Sequence, residues 1–294
     1  MSRRRMPRWS PAAPALLWWG FFFVVPVAWI ALYSLGQKPP PGGGAVTLDV
    51  LSGANYVAVT SELFLRVFWV TLRTAALGTL ACVLVGFPVA YALARYVPER
   101  WRPGLLFLLV LPYWTSFLLR AFAWRIILAP EGALSDTLRA LGLLSAPLSL
   151  LDSNAAVQLG IIYNYLPLTI LPIFVALDRI DPALGRAAMD LGAGPVRTFL
   201  AVTLPLAAPG IAGGVLLTFI LAAGDYVVPA ILGGAKGLMV GNLVATQILA
   251  SQNLPAGAAM AVVLIGLLGL AVLGAQAAVL LTRGALRLAR GPAL

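Results

Sequence analysis

One carboxylate stands deep in an apolar run: Asp225, in the stretch Leu-Ala-Ala-Gly-Asp-Tyr-Val-Val-Pro. A charge in hydrocarbon is costly and by default faces a wet cavity or a partner group. Tyr226 follows it, and Trp114, Tyr163 and Tyr165 lie in other apolar runs. Aromatic faces attract ammonium groups by roughly 0.5–2 kcal/mol each. Ser116, Asn164 and Asn242 add hydrogen-bonding groups, and Gly224 and Pro229 flank the acid where a helix could loosen. Such a set recognises a cation through charge and ring faces. Two other readings stay open. Asp225 could form an ion pair with an arginine such as Arg120, and the rings and amides could serve interfacial belts or contacts between helices.

Bond-making chemistry lacks its usual parts. The chain has no histidine, the commonest general base and metal ligand. No metal site is expected. Cys82, the single cysteine, lies in an apolar run and reads as a packing residue. The lysines are Lys38 and Lys236, neither in a Gly-Lys-Ser/Thr context, so there is no P-loop and no ATP hydrolysis is expected of this chain.

The elements that must carry these residues follow from composition. Of the 294 residues 61% are hydrophobic and 10% charged, and mean hydropathy is +0.95. Soluble domains run nearer 45–50% and about 25%, so the expected class is an all-α integral membrane protein. Apolar runs place about six spans, at about residues 14–35, 67–94, 104–128, 155–177, 206–232 and 256–281 of a membrane domain covering 14–281. A basic N-terminus, 1–13, and a C-terminal segment, 282–294, flank it. The first run exceeds a signal-peptide core and lacks a convincing cleavage site, so it reads as an uncleaved span kinked at Pro26. Residues 36–65, with Pro39 to Gly44, and 129–153 read as loops, and so does the stretch after Gly233.

Net charge is +10, but no nucleic-acid-binding pattern accompanies it. The arginines gather in alternate connections instead: Arg3, Arg4, Arg5 and Arg8; Arg95, Arg100 and Arg102; Arg179, Arg186 and Arg197; Arg283, Arg287 and Arg290. The other connections hold Lys38, Arg66, Arg139 and Lys236. By the positive-inside rule both termini are expected in the cytoplasm. Arg73, Arg120 and Arg125 read as anchors near span ends, with Arg120 the deepest in sequence or else marking an early end to the third span.

Residues 178–205 form the longest connection on the basic side. Asp181-Pro182 is a helix start, a capping side chain followed by a ring already set for the first turn. Gly192 and Gly194 break that helix and Pro195 can open a second, with Pro205 and Pro209 separating it from the next span. Two short helices with a glycine turn can present a rigid knob, and the small Ala187, Ala188 and Ala193 let it sit closely in a cleft.

This segment resembles the cytoplasmic signature of permease subunits of binding-protein-dependent ABC importers: Glu-Ala-Ala, three residues, Gly, nine residues, Ile, one residue, Leu-Pro. Here stand Arg186-Ala187-Ala188, Gly192, Val202 and Leu204-Pro205 at the same spacings. Arg186 replaces the acid and Val202 the isoleucine, with Asp190 the candidate for compensating charge. The resemblance extends over nearly the whole chain and is to the spermidine/putrescine type. It is carried by Leu111-Pro-Tyr-Trp-Thr-Ser-Phe-Leu-Leu-Arg-Ala-Phe-Ala-Trp124, Val157-Gln-Leu-Gly-Ile-Ile-Tyr-Asn-Tyr-Leu-Pro-Leu168, Gly224-Asp-Tyr-Val-Val-Pro-Ala-Ile-Leu-Gly-Gly234 and Leu238-Met-Val-Gly-Asn242.

The resemblance implies a type I ABC importer permease fold in a bacterial inner membrane. The segment 178–205 would be its coupling helix-turn-helix, with Arg186, Ala187, Ala188, Asp190, Gly192, Val202, Leu204 and Pro205 as ATPase-coupling positions. It implies as partners a cytoplasmic ATPase dimer carrying ATP and Mg, a second permease subunit from a different gene and a periplasmic solute-binding protein. The polyamine path would draw on Asp225, Tyr226, Trp114, Tyr163, Tyr165, Ser116 and Asn164. The alternatives are an ABC importer of another small organic solute and an ion-gradient-driven secondary transporter. The second usually needs more intramembrane acids and inverted repeats, and it leaves the 186–205 spacing unexplained.

Overall fold

In hydrocarbon each backbone N–H and C=O must be bonded within the protein, and this chain meets that demand with helices. The structure is a computed structural model, and it describes residues 13–40, 44–234 and 237–289. Arg3, Arg4, Arg5, Arg8, Lys236 and Arg290, residues 41–43 and the side chains of Arg283 and Arg287 lie outside the described part.

In chain order the helices are α1 Ala13–Ser34, α2 Asn55–Val59, α3 Glu62–Arg95, α4 Arg102–Trp114, α5 Phe117–Ile127, α6 Ala133–Ala140, α7 Asn154–Asp178 and α8 Pro182–Asp190. They continue with α9 Pro195–Gly224, α10 Val227–Leu232, α11 Val240–Ala250 and α12 Leu254–Ala289. Among the described residues five are long and apolar enough to cross a membrane: α1, α3, α7, α9 and α12. The pair α4–α5 makes a sixth if counted as one crossing.

Several boundaries differ from the sequence reading. The third span, 104–128, is not one rod: α4 and α5 meet at 87°. The second and sixth spans begin earlier than expected, at Glu62 of α3 and Leu254 of α12. The supposed loops hold α2, α6 and α11, the last apolar but too short to span. Pro205 and Pro209 do not separate the connection at 178–205 from the following span, because Pro195–Gly224 is one helical run. A π-helical turn, Phe199–Thr203, lets the Leu204 N–H reach back to Phe199, and the widened ladder accommodates the Pro205 ring. The same device stands before Pro26, where Gly20–Val24 is a π-helical turn.

The chain forms two compact units. One joins the segment up to Leu65 with that from Leu243. In it α1 packs along α12, and an antiparallel bridge pairs Gln37 with Thr47. The Asn55 amide donates to the carbonyls of Ser34 and Gly36, and Lys38 Nζ donates to the Ser251 carbonyl at 2.7 Å.

The other unit, Arg66–Asn242, is organised by α7. Its α9 lies against α7 through Gly210, Gly214 and Thr218, one helical turn apart. A Cβ on Gly210 would stand 2.3 Å from that of Ala176, and one on Gly214 3.0 Å from the Thr169 carbonyl. Thr169 and Thr218 share a buried hydroxyl–hydroxyl bond of 2.6 Å. Small residues at a fourfold spacing let backbones approach, and dispersion plus the hydroxyl bond stabilise the pair where lipid offers no hydrophobic drive. Ala90, Leu93, Ile170, Ile173, Phe174 and Ala207 form the adjoining core.

The connections of this unit sort into two ends. At one, Arg102 bonds Asp178 at 2.6 Å and Arg95 donates to the Ile180 carbonyl, joining 95–102 to 178–181. At the other, Arg125 donates to the Ile231 carbonyl at 2.5 Å, and the Asp152 N–H donates to that of Leu232. The arginine pattern groups these same connections.

Gly210→Val should therefore force α9 off α7, with an overpacking cost of about 1–3 kcal/mol. Gly213→Ala, whose Cβ would meet nothing nearer than Pro172 at 4.0 Å, is the control. Thermal unfolding in detergent should show a lowered midpoint for the first and an equal or higher one for the second, since alanine favours a helix interior over glycine; equal midpoints in the two variants would remove the close approach as a stabilising contact.

Candidate functional site

Two places in the Arg66–Asn242 unit carry the residues that sequence reasoning singled out. The first is a break. Helix α9 ends at Gly224 and α10 begins at Val227, with Asp225 extended between them at ψ 130°. Interrupting a helix inside a membrane frees N–H groups that have no water to bond. Asp225 supplies the acceptor: Oδ1 takes the N–H of Val227 at 2.8 Å and of Val228 at 3.3 Å. The Tyr165 hydroxyl of α7 donates to Oδ2 at 3.0 Å. Asp225 is 7% exposed. A carboxylate has about four acceptor positions, and three donors leave it roughly one for a ligand.

The alternative of an Arg120 ion pair is not formed. Arg120, on α5, is buried but turns its Nη1 to the Pro112 carbonyl at 3.2 Å. Its guanidinium stands 4.8 Å from the Tyr113 ring centre and 5.7 Å from that of Phe117. It bridges the bend between α4 and α5, where the Pro112 carbonyl also accepts the N–H and the hydroxyl of Thr115, at 3.2 and 2.7 Å. The Tyr113 hydroxyl in turn donates to the Asn164 carbonyl of α7. The Asn164 side-chain amide donates to the Gly160 carbonyl at 2.9 Å, while its Oδ1 and the Arg120 Nε are buried without partners.

The expected path residues therefore split. Tyr165, Asp225 and Asn164 form the buried polar seam of α7 and α10, together with Tyr113 and Arg120. Tyr113 was overlooked, although it stands in the stretch that carried the resemblance. Trp114 is 75% exposed and turned toward Phe107, and Ser116 is exposed in the bend itself. Tyr163 meets Trp124 edge-on, and half-exposed Tyr226 offers its carbonyl to the Asn242 amide at 2.9 Å.

The second place is the turn between α8 and α9. Asp181 caps α8, accepting the Ala183 N–H at 2.8 Å. Gly192 has φ +85°, a backbone region that favours glycine. Around it the Gly192 N–H reaches the Met189 carbonyl and the Ala193 N–H that of Ala188, a Schellman closure. The turn holds an apolar surface outward: Leu191 is 90% exposed, Val196 72%, and Leu184 and Met189 about half. Sequence reasoning picked the small alanines and missed these larger side chains, whose signal was apolar character inside a polar connection. Arg186, Ala187 and Asp190 are exposed, while Ala188, Val202 and Leu204 are half-buried and Pro205 exposed. Among the described residues no ion pair joins Arg186 to Asp190.

The shared bond at the break has a measurable signature. Asp225→Ala loses a cap, about 1 kcal/mol, and strands the Tyr165 hydroxyl, about 1–3 kcal/mol more. Tyr165→Phe alone should cost about 1 kcal/mol. In unfolding measurements the double variant should lie well short of the sum of the singles; full additivity would mean that no bond joins the two.

The chain matches the model of the family described as "Binding-protein-dependent transport system inner membrane component" over residues 12–283. It is 36% identical over 255 residues to the spermidine/putrescine transport system permease protein PotB of Haemophilus influenzae, covering 87% of this chain and 88% of that one. Identity is 37% to PotB of Escherichia coli over 74% and 79% of the two chains. It is 34% to the E. coli inner membrane ABC transporter permease protein YdcU over 87% and 84%. Among solved structures, a bacterial ABC transporter involved in import of the acidic polysaccharide alginate superposes with a TM-score of 0.71 at 18% identity, over 91% of this chain and 93% of that one. The all-helical fold is that of a type I ABC importer permease, and the chain belongs to the inner membrane components of binding-protein-dependent transport systems.

Proposed function

We propose that this chain is a permease subunit of an ATP-driven importer of polyamines such as spermidine and putrescine. The observation that carries the solute class is the identity, above one third over most of both chains, to relatives named for spermidine/putrescine transport. A fixed carboxylate among hydroxyl and aromatic groups suits an ammonium-bearing chain that sheds water on entering the membrane. The break at Asp225 presents that charge on a rigid element, with roughly one acceptor position to spare. The fold alone does not choose the solute.

The chain works with a cytoplasmic ATPase dimer that carries ATP and Mg, a second permease subunit of a different gene and a periplasmic solute-binding protein. Both termini are cytoplasmic, which sets the α8–α9 turn on the ATPase side. There the outward Leu191, Val196, Leu184 and Met189 are the apolar face of the contact, and Arg186, Ala187, Ala188, Asp190, Gly192, Val202, Leu204 and Pro205 build or support it. Reporter fusions should place Gly192 inside and Asp136 outside.

Gly192→Val puts a β-branched side chain at a positive φ, which for a bulky residue is a backbone outlier. In cells lacking other polyamine uptake and expressing the complete system, labelled spermidine should accumulate with the native chain. The variant should reach the membrane in normal amount and accumulate little. Normal uptake by the variant would reject the coupling role of the turn, and no spermidine uptake by the native system would reject the solute.

A further inference from the structure

Behind the α8–α9 turn, between the end of α3, α8 and the first turns of α9, lies a cavity of about 260 Å³. Its wall carries two guanidinium groups. Arg95 is the last residue of α3 and spends one donor on the Ile180 carbonyl at 3.2 Å; a guanidinium has five. Arg186, on α8, has no ion pair among the described residues. Thr198 also lines the cavity, is 8% exposed, and its hydroxyl has no hydrogen-bond partner. The one carboxylate in the wall, Asp181, has an oxygen bound to the Ala183 N–H as the cap of α8. Tyr91, Phe199 and Val202 make the apolar side.

A second opening beside it, about 510 Å³, is lined by Arg95, Arg102, Glu99 and Asp178. Arg95 is shared by the two openings; in the second Arg102 is bound to Asp178 at 2.6 Å and Glu99 is a further carboxylate. The first cavity keeps an excess of positive charge, forked donors and an apolar wall, at the depth where one span ends and another begins. Guanidinium forks match phosphate oxygens, and basic pockets between membrane helices hold phosphate headgroups of lipids.

We propose that the cavity between Arg95 and Arg186 binds a phosphate group, the headgroup of an anionic phospholipid being the source that reaches this depth. Placing that lipid in the cytoplasmic leaflet rests on the orientation given under Proposed function. An occupied cavity fixes α8 against the end of α3, so anionic lipid there braces the turn that meets the ATPase.

The test uses the full-length chain in neutral detergent. Phosphatidylglycerol, phosphatidylcholine and inorganic phosphate are titrated separately, with binding read by native mass spectrometry. Phosphatidylglycerol should bind more tightly than phosphatidylcholine. Arg186→Gln, at an exposed position that folding does not need, should weaken that binding about fivefold. Thr198→Val should weaken it less. Arg100→Gln removes the same charge from the same end of the unit but outside the cavity, and should leave binding unchanged. Inorganic phosphate that binds and displaces the lipid would support the site and name free phosphate as its source; failure to displace supports the lipid. Equal loss in the Arg186 and Arg100 variants, or no preference for phosphatidylglycerol, overturns the proposal. Binding is read without partners or transport, so a failed coupling assignment would leave this result standing, and the reverse holds as well.

Discussion

A helix cannot be interrupted inside a membrane unless something binds the N–H and C=O groups the interruption frees. That constraint governs the central unit of this protein, whose helices bend or stop at Thr115–Ser116 and at Asp225–Tyr226. A charged side chain bonds backbone at each, joining the N–H and hydroxyl of Thr115 on the Pro112 carbonyl at the first. Arg120 takes a carbonyl of the first and Asp225 takes two N–H groups at the second. The charges at these depths are therefore structural acceptors and donors before they can be anything else. What they offer a solute is the capacity left over.

Helix α7 is the post to which both interruptions are tied. Its Tyr165 hydroxyl holds Asp225, and its Asn164 carbonyl holds Tyr113 beside Arg120. One turn further along, Thr169 bonds Thr218, and beyond it the glycines of α9 come into contact with the α7 backbone. Displacing α9 from α7 thus also displaces the cap. Packing, backbone satisfaction and the position of the one buried acid are the same problem in this unit. The α8–α9 turn shares that framework, since α9 runs unbroken from the turn at Pro195 to the break after Gly224.

Much of this was legible in the sequence. Long apolar runs and clustered arginines gave the helices and the sorting of their connections, because burial in lipid demands length and lipid excludes charge. Asp181-Pro182 and Gly192 gave the α8 cap and turn, because few other residues satisfy those local geometries. The interruptions were harder to see. Prolines that read as breaks, Pro205 and Pro209, are absorbed in a continuous helix by a π-helical turn, while the 87° bend falls at Thr115–Ser116 without a proline in the break. Asp225 was singled out by its charge, and its expected partner was another charge. Its actual partners are two backbone N–H groups and a hydroxyl, which no inventory of charged residues records. The exposed Leu191 and Val196 were passed over for a related reason: an apolar residue in a membrane protein attracts no notice until its surroundings are known to be polar.

Asp225 closes the break, and under the proposed function it also supplies a fixed negative charge to an entering cation. Asparagine separates the two roles, because it caps nearly as well as aspartate and carries no charge. Initial rates of labelled spermidine uptake should fall about tenfold or more in Asp225→Asn, the scale of one hydrogen bond to a charged group, while assembly and basal ATP hydrolysis stay near normal. Asp225→Glu should retain more uptake than the asparagine variant. Uptake at the native rate by Asp225→Asn would contradict the account, leaving Asp225 as a helix cap with no part in moving a cation.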